Sequence, residues 1–125
     1  MNDVVDAELR LPAESAYVSV LRMATAGLAA RLDFTVDDIE DLRMAVSEAC
    51  ALVLDGADPG GQLTCGYHLG SGSIRVTVAA PRSGTAGLDT DSVAWQVLNA
   101  LADDITGESA SDHRRISFTL TSETT

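Results

Sequence analysis

Between Thr35 and Gly61 the chain spells out a helix with both ends marked. Apolar residues stand at Ile39, Leu42, Val46, Ala49 and Val53, a 3-4-3-4 spacing that lines one face of a helix. Thr35-Val36-Asp37-Asp38 supplies an N-cap hydroxyl with a carboxylate three residues on, and acids in the first turn suit the positive end of the helix dipole. Asp55-Gly56-Ala57-Asp58-Pro59-Gly60-Gly61 then ends it, because glycine and proline stop helices. A helix apolar on one face must bury that face against another layer.

The flanking segments predict that layer. Val5, Ala7, Leu9 and Leu11 alternate with Asp6, Glu8 and Arg10, the period-2 pattern of a strand covered on one face. Leu63, Cys65, Tyr67 and Leu69 alternate with Thr64, Gly66 and His68; Gly70-Ser71-Gly72-Ser73 turns the chain, and Ile74, Val76, Val78 and Ala80 alternate again as a hairpin. From Pro12 and Glu14-Ser15 to about Leu32, helical spacing at Tyr17, Val20, Leu21, Ala24, Leu28 and Leu32 predicts an earlier helix. After a Gly/Ser/Thr-rich loop over residues 81–90, Val93, Val97, Leu98 and Leu101 predict another helix, and Ile116, Phe118 and Leu120 a closing strand. The order β-α-α-β-β-α-β predicts an α+β two-layer sandwich, with helices on one face of a mixed, mostly antiparallel sheet. With 125 residues, 46% of them hydrophobic, residues 1–125 are expected to form a single domain around one core.

Composition narrows the function classes. Nineteen acidic against eight basic side chains give a formal charge of −11, which repels phosphate backbones and anionic lipid, so neither direct nucleic-acid nor membrane binding is expected. An acidic chain either competes for the basic surface of a DNA-binding partner or is simply kept soluble by its charge. No apolar run approaches the roughly 18 residues of a membrane span, and Met1-Asn2-Asp3-Val4-Val5-Asp6 has neither the basic region nor the apolar core of a signal peptide. A cytosolic location is expected. Cys50 and Cys65 lie outside any CxxC or Cys/His metal spacing, and His68 and His113 are far apart. No metal site and no disulfide are predicted; both thiols read as reduced and buried.

Three blocks carry a resemblance to a known family. Asp41-Leu42-Arg43-Met44-Ala45-Val46-Ser47-Glu48-Ala49-Cys50 resembles the first ATP-site helix of the serine-kinase anti-sigma factors of the RsbW type, a branch of the GHKL ATPases whose helix carries Glu-Ala-Cys-Thr-Asn-Ala or close variants. Glu14-Ser15 matches the pair that opens the family's first helix, Leu32-Asp33 the pair before its second, and Trp95-Gln96-Val97-Leu98-Asn99-Ala100-Leu101-Ala102-Asp103-Asp104-Ile105 resembles its third helix. The resemblance runs from Leu9 to Leu120 and implies the GHKL two-layer sandwich, a homodimer, and partners comprising a sigma factor and an anti-anti-sigma antagonist.

The implied nucleotide site is where this chain departs from the family. Glu48 stands where the family places its general base, but the asparagine four residues later, which coordinates magnesium in the family, is Leu52. Leucine offers no oxygen to a hard cation. The Asp-x-Gly-x-Gly that reads adenine becomes Ala80-Pro81-Arg82-Ser83-Gly84, keeping only Gly84. The glycine turn that lets backbone N–H groups approach phosphates becomes Asp91-Ser92-Val93-Ala94-Trp95, with Ser92 and Ala94 at its substituted positions. Asp91 either sets a negative charge near those phosphates or caps the helix. These losses imply that ATP binding and phosphoryl transfer are weak or absent, because phosphoryl transfer is mostly positioning plus charge stabilisation, whereas the resemblance by itself implies ATP and magnesium as cofactors. The opposing reading gathers Glu48, Arg82, Arg114 and Arg115 into a rewired nucleotide site; the plain structural reading makes Glu48 a solvated acid or a partner of Arg43 or Arg22.

The partner surface implied by the resemblance is the first helix, with Glu14 matching a family contact and Val18 replacing its arginine. Arg22, one turn on, is the candidate substitute. Tyr17, Val18 and Leu21 read either as an interface patch or, for Tyr17 and Leu21, as core. Three functions therefore follow: an anti-sigma factor that sequesters a stress- or sporulation-type sigma subunit and is released by an antagonist; an active serine/threonine kinase that phosphorylates that antagonist; or an interaction domain with another partner altogether.

Overall fold

A computed structural model describes residues 5–83 and 87–122. Among the described residues five strands, β1 Ala7–Pro12, β2 Gln62–Gly70, β3 Ser73–Pro81, β4 Asp103–Ser109 and β5 His113–Thr121, form one sheet in the order β1-β2-β3-β5-β4. Three helices, α1 Val18–Arg31, α2 Val36–Leu54 and α3 Val93–Leu101, complete the second layer, and a short 3-10 turn at Ser15–Tyr17 leads into α1. The α+β two-layer sandwich expected from the sequence is present. All four strand pairings are antiparallel, so among the described residues the sheet, expected to be mixed, carries no parallel component.

Alternation fixes which strand residues face the helices. In β3, Ile74, Val76, Val78 and Ala80 are buried while the residues between them are partly exposed. Register aligns them into cross-strand rows: Leu9, Cys65, Val78 and Ile116 form one, and Ala7, Tyr67, Val76 and Phe118 the next. Such rows are the unit of sheet stabilisation, and the helix layer seals them from water.

Helix α2 lies centrally, against α1 on one side, α3 on the other, and β3 and β5 beneath. The predicted N-cap is formed: Thr35 Oγ1 accepts the Asp38 amide at 3.1 Å. The buried face is broader than the predicted stripe, taking in Asp38, Ala45, Cys50 and Leu52 beside Leu42, Val46, Ala49 and Val53. Leu52, outside the predicted stripe, is 5% exposed on a helix that α3 packs against. At the other end Gly56 adopts φ +74, the left-handed conformation that reverses the chain after a helix. A Cβ there would come 3.1 Å from the Arg82 guanidinium, which would have to shift slightly, so it is the positive φ that favours glycine.

Helix α1 is rotated from the predicted phase. Leu21, Thr25 and Ala29 are its buried residues, while Tyr17 and Val20 are 37% and 41% exposed. The cause is a polar contact: Thr25 Oγ1 and Tyr67 Oη lie 2.6 Å apart inside the core, and Thr25 Oγ1 also donates to the Leu21 carbonyl. A buried hydroxyl with a partner is tolerated where an unpaired one is not. Strand β4 was not predicted; its residues are exposed apart from the half-buried Ile105, and a bulge between Asp103 and Thr106, with Asp104 at φ +51, interrupts its register.

Candidate functional site

A pocket of about 590 Å³ opens where the start of α1, the last two turns of α2 and the start of α3 meet. Its apolar floor is Val18, Ala51, Leu52, Leu54 and Ala94. Hydroxyls of Ser15, Ser47 and Ser92 and carboxylates of Asp55 and Asp89 stand around it, with Arg22 at the α1 side. Arg22 is tethered there: its Nη1 donates to Ser47 Oγ at 3.2 Å, and Ser47 in turn donates to the Arg43 carbonyl. Ser92 is the α3 N-cap, accepting the Trp95 amide at 3.1 Å, so the capping role considered for Asp91 belongs to its neighbour.

The pocket thus unites two sets of residues that the sequence kept apart. Leu52, Ser92 and Ala94 come from the implied nucleotide site, and Val18 and Arg22 from the implied partner surface. Glu14 and Tyr17 lie exposed just outside it. Glu48 does not line it; half-buried one turn before Leu52, it has no side-chain hydrogen bond or ion pair among the described residues. Neither proposed partner reaches it, since Arg43 pairs with Glu40 at 2.9 Å and Arg22 binds Ser47. Gly84 lies outside the described residues.

Beneath the pocket a buried arginine replaces what the sequence led one to expect. Arg114 is the cross-strand neighbour of Ala80, and both are buried on the helix-facing side of the sheet. Its guanidinium rises to the end of α2, where Nη1 donates to the Leu52 and Asp55 carbonyls at 3.0 and 3.1 Å; Nη2 donates to the Gly87 carbonyl at 2.9 Å. The Asp55 carboxylate lies 3.8 Å away. A cation is favoured at the negative end of a helix dipole, and it satisfies carbonyls that the helix leaves open. Burial, and then the nearby Arg82 charge, lower the Arg114 pKa, with Asp55 opposing them. The residue stays charged, since arginine titrates far above physiological pH.

Arg114 was legible as an inward-facing position, because the alternation of Ile116, Phe118 and Leu120 extends back to it. The rewired cluster of Glu48, Arg82, Arg114 and Arg115 does not assemble. Adjacent strand residues point to opposite faces, so Arg115 lies across the sheet from Arg114, 3.4 Å from Glu108. Asp55 and Asp89, the pocket's two carboxylates, were missed; both sit in segments that read only as helix stops and loop.

A profile of the histidine kinase-like ATPase domain matches residues 11–106. The chain belongs to that family. Among relatives of this histidine kinase-like ATPase chain, the serine-protein kinase RsbW of Halalkalibacterium halodurans is 43% identical over 72 residues, covering 57% of this chain and 44% of the relative. The serine-protein kinase RsbW of Bacillus cereus is 36% identical over 74 residues, covering 58% and 46%. The chain therefore spans less than half the length of these relatives. A crystal structure of the RsbU and RsbW domains of Rv1364c from Mycobacterium tuberculosis matches 93% of this chain and 32% of its own, with a TM-score of 0.70 at 16% identity, which establishes a shared fold.

The histidine kinase-like ATPase fold implies a magnesium-bound nucleotide, and the residues present do not fit one held in the family manner. Leu52 brings a buried methyl-tipped side chain to the position that the resemblance gives to the metal ligand. Ala80 has no group to read a base, and the space between it and Leu52 is filled by Arg114. Among the described residues no group of three or more His, Cys, Asp or Glu is placed to hold a metal ion, and no helix is long and apolar enough to cross a membrane.

Proposed function

We propose that this chain is an anti-sigma factor that works by holding its partner rather than by phosphoryl transfer. In this reading residues 1–125 act as one domain, in the cytoplasm and as a homodimer. They sequester an alternative sigma subunit of the stress or sporulation type and release it to an anti-anti-sigma antagonist. The observation that carries the reading is Leu52: buried, with its carbonyl bonded to Arg114, it offers no side-chain oxygen at the position that the resemblance gives to the cation ligand. Family membership and the relatives named serine-protein kinase RsbW support the partner class. The pocket's joining of Val18 and Arg22 to Leu52 and Ala94 supports a protein-facing use of the old nucleotide corner.

The second reading, an active serine/threonine kinase that phosphorylates the antagonist, is favoured by Glu48, which keeps the family's general-base position with no competing partner among the described residues. Calorimetric titration with ATP and magnesium separates the two. No saturable heat is expected; micromolar binding would establish the kinase reading. Surface-plasmon measurements against purified sigma subunits test the partner, with binding unchanged by ATP as the expected result.

A further inference from the structure

We propose that the pocket between α1, α2 and α3 receives a lysine or arginine side chain, presented beside an apolar residue by the partner protein. The inference rests on the partner-holding reading and supplies the chemistry of what is held. Ala51, Leu52, Leu54 and Ala94 give the pocket an apolar floor, and Asp55 and Asp89 give it an acidic wall. Lysine and arginine bury in this way, laying the methylene stem on apolar surface and keeping the charged head among polar groups. At about 590 Å³ the pocket takes two side chains of ordinary size, so an apolar neighbour fits beside the cation.

The charges present select the sign of the guest. The Asp55 side chain is 80% exposed and its nearest cation, Arg114, is 3.8 Å away with its N–H groups directed at three backbone carbonyls. Asp89 commits Oδ1 to the Asp91 amide at 3.0 Å, leaving its second oxygen to accept from a guest. Arg22 is held back on Ser47. A chain of net charge −11 also draws cationic segments toward it from a distance. A triphosphate would meet the same two carboxylates as repulsion, so a corner that binds anions in the family is here suited to cations.

The test uses the full chain and N-acetyl-leucyl-lysine amide as the probe, with the norleucine and glutamate analogues as neutral and anionic controls, followed by amide chemical shifts. The lysine peptide is expected to give saturable shifts at Ala51, Leu52, Asp55 and Ala94, binding at least tenfold more tightly than either control. The doubly substituted Asp55→Asn/Asp89→Asn chain is expected to lose that preference while keeping a folded, dispersed spectrum. Should the double variant unfold, Asp89→Asn alone preserves the acceptor for the Asp91 amide and is expected to weaken lysine-peptide binding severalfold. Equal binding of the lysine and norleucine peptides, shifts confined to another surface, or an unaffected variant would overturn the proposal. ATP with magnesium shifting the same amides saturably would overturn both this inference and the partner-holding reading; absence of all shifts would overturn the inference alone.

Discussion

At the scale of single residues, two side chains decide what the end of α2 can do. Leu52 is packed, so Leu52→Asn places an amide in an apolar setting and is expected to cost about 3 kcal/mol of stability, measured by urea unfolding. It is not expected to restore magnesium-dependent nucleotide binding, because Arg114 and Ala80 still occupy the corner. Arg114→Met removes donors from three backbone carbonyls and a cation from a helix C-terminus, and a loss of about 3 kcal/mol is expected by the same measurement. The substitution at position 52 was visible in the sequence, since it is a matter of residue type. The target of Arg114 was not, because β5 and α2 meet across 62 positions of chain and no local pattern records that approach.

Among elements, legibility followed periodicity. Helix α2 and the β2–β3 hairpin were readable because nearly every apolar residue lies on the face that packs, whereas β4 offers Ile105 alone and gives no alternation to detect. The phase of α1 departs from its apolar spacing because Thr25, a polar residue, is buried with its bond to Tyr67 while the larger Val20 is left outside. The β4–β5 hairpin carries a titratable latch. His113 contacts Glu108 at 2.7 Å through Nε2 and Asp112 at 2.8 Å through Nδ1, and the hydrogen bonds to Glu108 first and then Asp112 raise its pKa above 6.5. A raised folded-state pKa stabilises below the unfolded value and loses that contribution as pH climbs through the folded value. The hairpin is therefore expected to loosen with alkalinity above about pH 6.5. An NMR titration of the His113 ring should show the raised midpoint, and His113→Gln should flatten the dependence of stability on pH above about 6.5.

For the whole molecule, one continuous core links both layers, and it encloses the two thiols. Burial is the main cause that pushes Cys50 and Cys65 each up to about 12, which keeps them protonated and poorly nucleophilic. Neither is expected to react with an aromatic disulfide reagent at pH 8 in the folded chain, and both should react together on unfolding, at the denaturant midpoint reported by circular dichroism. Staggered release of the two thiols would show that α2 and β2 do not unfold as one unit.

The interrupted ladder of β4 has a bearing on which edge of the sheet can take on a further strand. A margin carrying Asp103, Asp104 and Glu108, thrown out of step by an additional residue, makes a poor template for a newcomer's backbone. The opposite margin, β1, pairs in step along its full length until Pro12. Of the sheet's two edges, β1 is therefore the one whose backbone is better laid out to accept a further strand.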